Sequence, residues 1–172
     1  PTPEPTPTPE PSLIAPEVDY LLDLDTGETT PLPESIVGEK YLGTQGDFLP
    51  TGYAASPDGS RLAYSAPGDN GPQIFVANLD GTGIEQVTHD VGGAFSPAWS
   101  PDGSKIAFVG YRGDEPQQIF VLDLATGAST QLTFSSRPLP GGAPSFSPDG
   151  SSIVYVAGRW GEGSQYPLHG PY

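Results

Sequence analysis

The 172-residue chain has no cysteine, no methionine and only two histidines. Without cysteine it forms no disulfide, no zinc–cysteine centre and no thiolate nucleophile. The histidines, His89 and His169, have no neighbouring nucleophile or orienting acid, so neither predicts a catalytic constellation or a zinc site. We expect His89 to be a surface residue. Because methionine is absent altogether, we expect this chain to be a processed or partial product.

The sequence also lacks the motifs of a serine-hydrolase active site and of an EF-hand calcium site. No Gly-x-Ser-x-Gly nucleophile elbow occurs, so the sequence predicts no serine-hydrolase centre within this chain. The acidic segment Asp23–Glu28 superficially resembles a calcium loop. It lacks the ligand spacing of an EF-hand, and a hairpin turn explains it better. We therefore predict that the chain is not an enzyme and that it holds no cofactor and no metal.

Basic residues are scarce. Six lysines and arginines stand against 21 aspartates and glutamates, which gives a formal net charge of −15. The six are scattered along the chain, so they form no basic patch for nucleic acid or an anionic membrane. No apolar run is long enough to span a bilayer. The sequence therefore predicts an acidic, solvated surface, no nucleic-acid partner and no membrane insertion.

Helical periodicity is also missing, whereas 23 glycines and 22 prolines indicate a chain dominated by turns. Ser-Pro-Asp-Gly occurs three times, with its prolines 44 and then 47 positions apart. Proline presets φ for a type I turn, aspartate bonds local amides, and glycine supplies the positive φ that closes a hairpin. We interpret nine residues as structural turn residues: Pro57, Asp58, Gly59, Pro101, Asp102, Gly103, Pro148, Asp149 and Gly150.

Similar strands follow each turn. Residues 61–64, 105–108 and 152–155 place large apolar side chains at alternate positions, as a pleated strand does. Residues 74–79 and 119–124 are apolar without strict alternation, which indicates strands covered on both faces. Short strands repeated in a constant order predict a radially repeated β-sheet. A β-sandwich with coincidental turns is the alternative.

These segments resemble the repeat of TolB-like, WD-type β-propellers. The likeness lies in Ala98–Phe108, Gln118–Leu124 and Gln131–Thr133, and it extends over about residues 18–157. The resemblance implies four-stranded blades around a central axis, but it implies no single function. Members include periplasmic transport components, propeller domains of prolyl-oligopeptidase-like enzymes, and bacterial surface proteins.

The repeat also predicts how many blades are complete. Residues 20–27 match residues 120–127, the outer strands of a blade. Complete blades are predicted at about 53–88 and 97–133, and two inner strands at about 144–157. The predicted fold is thus all-β, with two complete four-stranded blades and a half blade at each end. Since a propeller closes with at least about four blades, we expect part of a larger or oligomeric propeller.

Open blade edges predict association. Such edges expose unpaired N–H and C=O groups, which recruit a partner strand. We expect the outer pair at 19–33 to complete the inner pair at 144–157 of a neighbouring copy. A head-to-tail contact of this kind gives a closed ring or an open filament, depending on its rotation. In the alternative, a longer protein supplies the strands that this chain lacks.

The start of the chain has a different composition. Pro1–Ser12 repeats proline with threonine and glutamate, which favours an extended polyproline II spacer. We assign residues 1–16 to a linker or stalk and residues 17–172 to the propeller segment. Pro/Thr-rich stalks often carry O-linked glycans, and a bare flexible linker is the alternative. The candidate O-glycosylation sites are Thr2, Thr6 and Thr8.

One segment departs from the repeat. Pro33 and Pro57 lie 24 positions apart, whereas the equivalent steps, from 88 to 101 and from 133 to 148, span 13 and 15 positions. Loops that leave a repeat scaffold often carry binding. We therefore predict a partner-binding loop in this segment, with three aromatic candidates: Tyr41, Phe48 and Tyr53.

Together these features predict an exported bacterial propeller module without catalytic activity. Its expected role is protein–protein interaction or self-assembly into a cell-surface or extracellular structure. Its expected partners are another protein or further copies of itself, with an attached glycan as an additional expectation. Two alternatives stay open: the substrate-gating propeller of a peptidase that lacks its catalytic domain, and a TolB-type periplasmic transport component. The predicted location is the extracellular space, the cell surface or the periplasm.

Overall fold

The computed structural model describes residues 20–22, 25–37, 52–68, 70–136 and 143–156. The chain divides into two compact units, residues 1–32 and residues 33–172. Each unit is described by itself below. No helix among the described residues has the length and apolar character needed to cross a membrane.

The first unit contains one β-hairpin. Strand β1 (Tyr20–Leu22) pairs antiparallel with β2 (Thr29–Pro31), with Tyr20 opposite Pro31. The turn between them places Gly27 at φ 73°, and the Glu28 amide donates to the Thr26 hydroxyl at 3.2 Å. The described part of the acidic segment, residues 25–28, therefore lies in a hairpin turn, as the sequence predicts.

The second unit opens with a helix of a single turn, α1 (Glu34–Val37). A single turn leaves the all-β class that the sequence predicts unchanged. The turn closes with a hydrogen bond of 2.9 Å from the Ile36 amide to the Pro33 carbonyl, and the Ile36 side chain is buried. Proline before the first turn favours this start, and a single turn is too short to produce a helical period.

Two four-stranded antiparallel sheets follow, each with its strands in chain order. In the first blade the strands are β3 (Tyr53–Ala55), β4 (Arg61–Gly68), β5 (Gly71–Asn78) and β6 (Glu85–Gln86). In the second blade they are β7 (Gly93–Trp99), β8 (Lys105–Tyr111), β9 (Gln118–Asp123) and β10 (Ala128–Gln131).

The half-blade at the end of the described residues has two strands. Strand β11 (Ser145–Phe146) pairs antiparallel with β12 (Ile153–Val154) in a separate two-stranded sheet. Within the described ranges, the outer edge of β12 pairs with no other strand. The predicted all-β architecture is confirmed: two complete four-stranded blades, with a two-stranded pair on either side of them in the sequence.

The inner strand of the second blade differs from its prediction. It begins at Gly93 rather than near residue 97, and its pairing with β8 shifts register between Phe95 and Ala98. At this bulge Ser96 adopts a φ of 52°, in the left-handed region that non-glycine residues rarely enter. The bulge adds one residue to β7 before Trp99, whose side chain contacts the first blade.

The main core lies between the first and second blades. The rings of Phe108 and Phe120 stack at 5.5 Å with an angle of 15° between them. Trp99 donates its indole N–H to the Ala54 carbonyl of the first blade at 2.8 Å. The buried cluster comprises Ala63, Ile74, Val76, Val91, Ala94, Trp99, Ile106, Phe108, Phe120 and Leu122.

Candidate interaction surface

Each Ser-Pro-Asp-Gly turn forms a closed hydrogen-bond network. In the first turn, the Gly59 amide donates to the Ser56 carbonyl at 2.9 Å, which closes a β-turn. The Asp58 carboxylate accepts hydrogen bonds from the Ser56 hydroxyl at 2.6 Å and the Ser60 amide at 3.1 Å. The Ser56 hydroxyl oxygen in turn accepts from the Arg61 amide at 2.9 Å. Gly59 lies at φ 68°, the conformation that the glycine permits.

The other two turns repeat this network and follow the first one closely in space. A Cβ placed on Gly103 would lie 3.9 Å from Cδ of Pro57, and one placed on Gly150 would lie 3.6 Å from Cδ of Pro101. The second and third turns therefore each lie close to the turn of the preceding blade. The turn residues all lie in loops between the first two strands of their blades.

The turn aspartates have strongly lowered pKa values. The pKa of Asp58 falls from 3.8 to about 2. The largest cause is the hydrogen bond from the Ser56 hydroxyl, followed by those from the amide and the hydroxyl of Ser60. The equivalent donors lower the pKa values of Asp102 and Asp149 to about 2. Each of these carboxylates accepts hydrogen bonds within its own turn, so its role is structural.

A testable consequence concerns acid. A folded-state pKa below the unfolded value adds stability that is complete above pH 3.8 and is lost as the pH falls towards about 2. We expect the urea midpoint of the protein to drop across this window. The triple variant Asp58→Asn, Asp102→Asn, Asp149→Asn should show a weaker pH dependence, with the remaining slope due to groups such as Asp80 and Asp123, whose pKa values are also lowered. Equal slopes for the two proteins would contradict the assignment.

A buried glutamine–threonine pair, which sequence reasoning missed, ties the third strand of the first blade to the segment after its fourth. The Thr88 hydroxyl donates to Oε1 of Gln73 at 2.6 Å and accepts from the Ile74 amide at 2.9 Å. Nε2 of Gln73 donates to the Val91 carbonyl at 3.1 Å. Each polar group is thereby satisfied inside the fold.

The second blade repeats this pair. The Thr133 hydroxyl donates to Oε1 of Gln118 at 2.7 Å and accepts from the Ile119 amide at 2.9 Å. Nε2 of Gln118 donates to the Ser135 carbonyl at 2.6 Å. The available sequence signal was a glutamine followed by a threonine 15 positions later in both blades.

A surface cation also joins the second blade to the segment between the two blades. Arg112 lies in the loop after β8, and its guanidinium donates to the Asp90 carboxylate at 2.7 Å and to the Ser129 carbonyl at 3.2 Å. The guanidinium lies 5.1 Å from the centroid of the Phe120 ring. Sequence reasoning did not single out this arginine, because nothing in the sequence places it opposite Asp90.

An open groove separates the second blade from the half-blade. The groove has a volume of about 470 Å³. Lys105 is the charged residue among those that line the groove. The backbone edge of β12 lies beside the groove. Exposed apolar side chains also occur on the groove or close in sequence to the residues that line it: Leu132, Phe134, Val154 and Val156. The apolar wall of the groove includes Ile119, Val121, Leu132, Phe146, Ile153 and Tyr155.

The predicted binding-loop residues fall in different places. Tyr53 lies on β3, not in a loop, and its ring centroid is 6.2 Å from that of Tyr64. Tyr41 and Phe48 lie outside the described residues, so the predicted binding loop stays a prediction. The candidate glycosylation sites also lie outside the described residues: Thr2, Thr6 and Thr8.

His89 lies at the surface, as the sequence predicts. Its Nδ1 is 3.0 Å from Nε2 of Gln86, and its Nε2 is 3.0 Å from the Gln86 carbonyl. Both ring nitrogens therefore have a partner within the same short segment. These contacts are local to the end of the first blade, and they include no nucleophile that His89 could activate.

Stacked four-stranded blades beside an open half-blade define a segment of a β-propeller. The chain belongs to the TolB beta propeller domain family, whose profile matches residues 48–169. The family and the fold that the sequence predicts are thus confirmed.

Three similar proteins illustrate the relationship. A protein TolB homolog of Chlorobium chlorochromatii is 36% identical over 109 residues, which cover 56% of this chain and 24% of that protein. The Tol-Pal system protein TolB of Hahella chejuensis is 36% identical over 78 residues, covering 43% of this chain and 18% of that protein. The crystal structure of TolB from Acinetobacter baumannii matches with a TM-score of 0.63 at 24% identity, covering 81% of this chain and 32% of that one. The chain thus spans about a quarter of the length of the Chlorobium relative and less of the Hahella one.

Proposed function

We propose that this chain is a non-catalytic propeller module that binds protein, within an exported bacterial protein of the TolB type. The observation that carries the proposal is the open groove between the second blade and the half-blade, flanked by the outer edge of β12, which pairs with no other strand in the part of the chain that the structure describes. A strand edge supplies backbone hydrogen bonds to an incoming strand, and an adjoining apolar wall supplies selectivity. A water-exposed apolar surface of this kind typically marks an interaction site.

A protein partner fits this surface better than a small polar substrate does. The groove wall is mainly aliphatic and aromatic, with one lysine and the hydroxyl side chains of two threonines and two serines, and the turn aspartates are engaged in their own networks. Catalysis by acid and base would need carboxylates or histidines aimed into the cavity. Recognition of an apolar, extended segment of another protein requires only the features that the groove has.

Location in the periplasm is supported by the relatives. One of them is named as a protein of the Tol-Pal system, and the comparison covers about half of this chain or less. An acidic net charge of −15 agrees with a solvated, exported module. Residues 1–16 would serve as a stalk, and glycans on its threonines are part of the proposal. Intact-mass measurement of the protein purified from its own bacterium tests that point.

The binding proposal has a direct test. A photo-reactive amino acid is placed at Leu132 in the groove, with the same group at Ile84 as the matched control, since these side chains are 47% and 43% exposed. We expect a Tol-Pal protein of the host, added in purified form, to crosslink at position 132 and not at position 84. Leu132→Asp should reduce its binding by about tenfold or more, because a charge replaces a buried apolar contact.

Two results would contradict the proposal. Equal crosslinking at both positions would indicate non-specific contact with exposed apolar side chains. Unchanged binding by Leu132→Asp would place the partner elsewhere on the module. In either case the family assignment would stand, since it depends on the sequence match over residues 48–169.

A further inference from the structure

We propose that Asn70 is a site of spontaneous deamidation, in which its side chain forms a succinimide with the backbone nitrogen of Gly71. The reaction needs water and no enzyme, and its products carry aspartate or isoaspartate at position 70. The chain has two asparagines, Asn70 and Asn78, and only the first precedes a glycine. Asn70 lies in the turn between β4 and β5 of the first blade, so this inference goes beyond the proposed function and is independent of the groove.

Asn70 lies at the tip of a hairpin that extends beyond the rest of its sheet. Strands β4 and β5 pair as far as Gly68 and Gly71. Within the described part of the chain, β3 pairs with residues 62–64 of β4, and β6 pairs with residues 75–76 of β5, so neither strand reaches the tip. The end of the hairpin is therefore a two-stranded ribbon, which is marginally stable by itself. We expect this tip to open locally more often than the four-stranded part of the blade.

The residue pair at the tip has the chemistry that the reaction requires. Asn70 and Gly71 are both exposed. Glycine has no Cβ to shield the attacking nitrogen, and Gly71 has a φ of 102°, which glycine adopts without steric cost. At the other asparagine, Nδ2 of Asn78 donates to the Thr82 hydroxyl at 2.9 Å, and the attacking nitrogen would belong to Leu79, which carries a Cβ. The fold therefore favours position 70 over position 78.

Four aspartates also precede a glycine, but they are poor sites for the same ring closure. In each case the glycine amide donates a hydrogen bond of 2.9 Å that closes its turn. Hydrogen bonds, the largest contribution coming from a serine or threonine hydroxyl, lower the pKa values of all four carboxyls. They are therefore ionised at neutral pH, and an ionised carboxylate resists attack by an amide nitrogen. The four are Asp58, Asp80, Asp102 and Asp149.

The reaction balances with water as the co-reactant. Hydroxide removes the proton of the Gly71 amide, and the nitrogen bonds to Cγ of Asn70. The Cγ–Nδ2 bond breaks, and ammonia leaves with a proton from the solvent. Water then opens the ring: addition at Cγ gives aspartate, whereas addition at the backbone carbonyl carbon of residue 70 gives isoaspartate. By either route asparagine and water become a carboxyl group and ammonia.

Modification changes the tip and leaves the blade in place. A Cβ placed on Gly71 would lie 2.8 Å from the Gly92 carbonyl oxygen, so the tip packs closely against the segment before β7. Isoaspartate adds one carbon to the main chain, which disturbs the register of the closing pair, and both products add a negative charge. Further along β5, Nε2 of Gln73 donates to the Val91 carbonyl at 3.1 Å and anchors the hairpin. We therefore expect circular dichroism of the modified protein to match that of the unmodified one.

The test incubates the folded protein in mildly alkaline buffer and follows position 70 over time. Chymotrypsin cleavage after Phe75 puts the two asparagines on separate peptides for mass spectrometry, and a protein isoaspartyl methyltransferase labels isoaspartate. We expect the peptide with Asn70 to gain the mass difference between a hydroxyl and an amino group, and to accept methyl groups. The rate should rise with pH, because hydroxide removes the amide proton. The peptide with Asn78 should stay unchanged.

Two variants and an unfolded sample serve as controls. Asn70→Gln should lose the methyl label, because glutamine would have to close a larger ring, whereas Asn78→Gln should keep it. Modification of the urea-unfolded protein without modification of the folded one would overturn the inference, since the hairpin would then hold Asn70 closed. A methyl label that Asn70→Gln leaves intact would also overturn it, because the isoaspartate would lie elsewhere. Neither result affects crosslinking at position 132, so the proposed function is tested separately.

Discussion

Replacing Phe108 by alanine is expected to lower the free energy of unfolding by about 3–5 kcal/mol, the range measured when a fully buried aromatic side chain is truncated. Phe108 is completely buried and stacks on Phe120 at 5.5 Å between the two complete blades. Its loss leaves a cavity that the sheets on either side are too rigid to close. Since small domains are stable by only about 5–15 kcal/mol, much of the folded population should be lost. Urea unfolding followed by tyrosine and tryptophan fluorescence measures the change.

Phe134→Ala is the matched control for this prediction. Phe134 has the same side chain, but it is 81% exposed and follows the second blade. Its truncation should change the free energy of unfolding by no more than about 0.5 kcal/mol. Similar losses for the two variants would mean that the interface between the blades is not the main source of stability.

The repeat made the blade architecture predictable. Ser-Pro-Asp-Gly combines three residues whose backbone preferences agree on one turn, and Asp58 adds hydrogen bonds that the turn geometry requires. The apolar runs at residues 74–79 and 119–124 correspond to β5 and β9 with offsets of a few residues. Local chemistry and tertiary packing point to the same structure at these positions, which is why sequence alone sufficed.

Features that depend on tertiary context were not predictable. The positive φ of Ser96 has no local signal in the sequence, because serine has no special preference for that region. The bulge lies on β7, which contacts both β8 and the first blade. Gln73 and Gln118 appear as surface residues in any hydropathy pattern, yet both are buried. Their partners lie 15 positions away, beyond the reach of local propensity.

The candidate interaction surface was predictable only in outline. The incomplete repeat predicted an open edge at the half-blade, but not the groove between Ile119, Leu132 and Tyr155. Its shape depends on which face of the second blade the half-blade leaves uncovered. That arrangement is a property of how the sheets stack, and no single segment of the sequence encodes it.

The second large effect is expected for Gln73→Leu, a replacement of similar size that removes both polar atoms of a fully buried side chain. The Thr88 hydroxyl would lose its acceptor, now at 2.6 Å, and the Val91 carbonyl would lose its donor, now at 3.1 Å. Each buried polar group left without a partner costs about 1–3 kcal/mol, so for two groups we expect a loss of about 2–6 kcal/mol. Thermal unfolding followed by circular dichroism, together with urea unfolding, measures it.

A double-mutant cycle with Thr88→Val separates the hydrogen bond from packing. Thr88→Val alone leaves Oε1 of Gln73 and the Ile74 amide without their partner, whereas in the double variant the glutamine oxygen is gone as well. The two losses should therefore combine to less than their sum, with a coupling of about 1–3 kcal/mol. Thr30→Val, at an exposed position of β2, controls for the loss of a threonine hydroxyl and should be close to neutral. Strictly additive effects of Gln73→Leu and Thr88→Val would mean that the two side chains stabilise the blade separately, and that the pair does not clamp the third strand to the segment after the fourth.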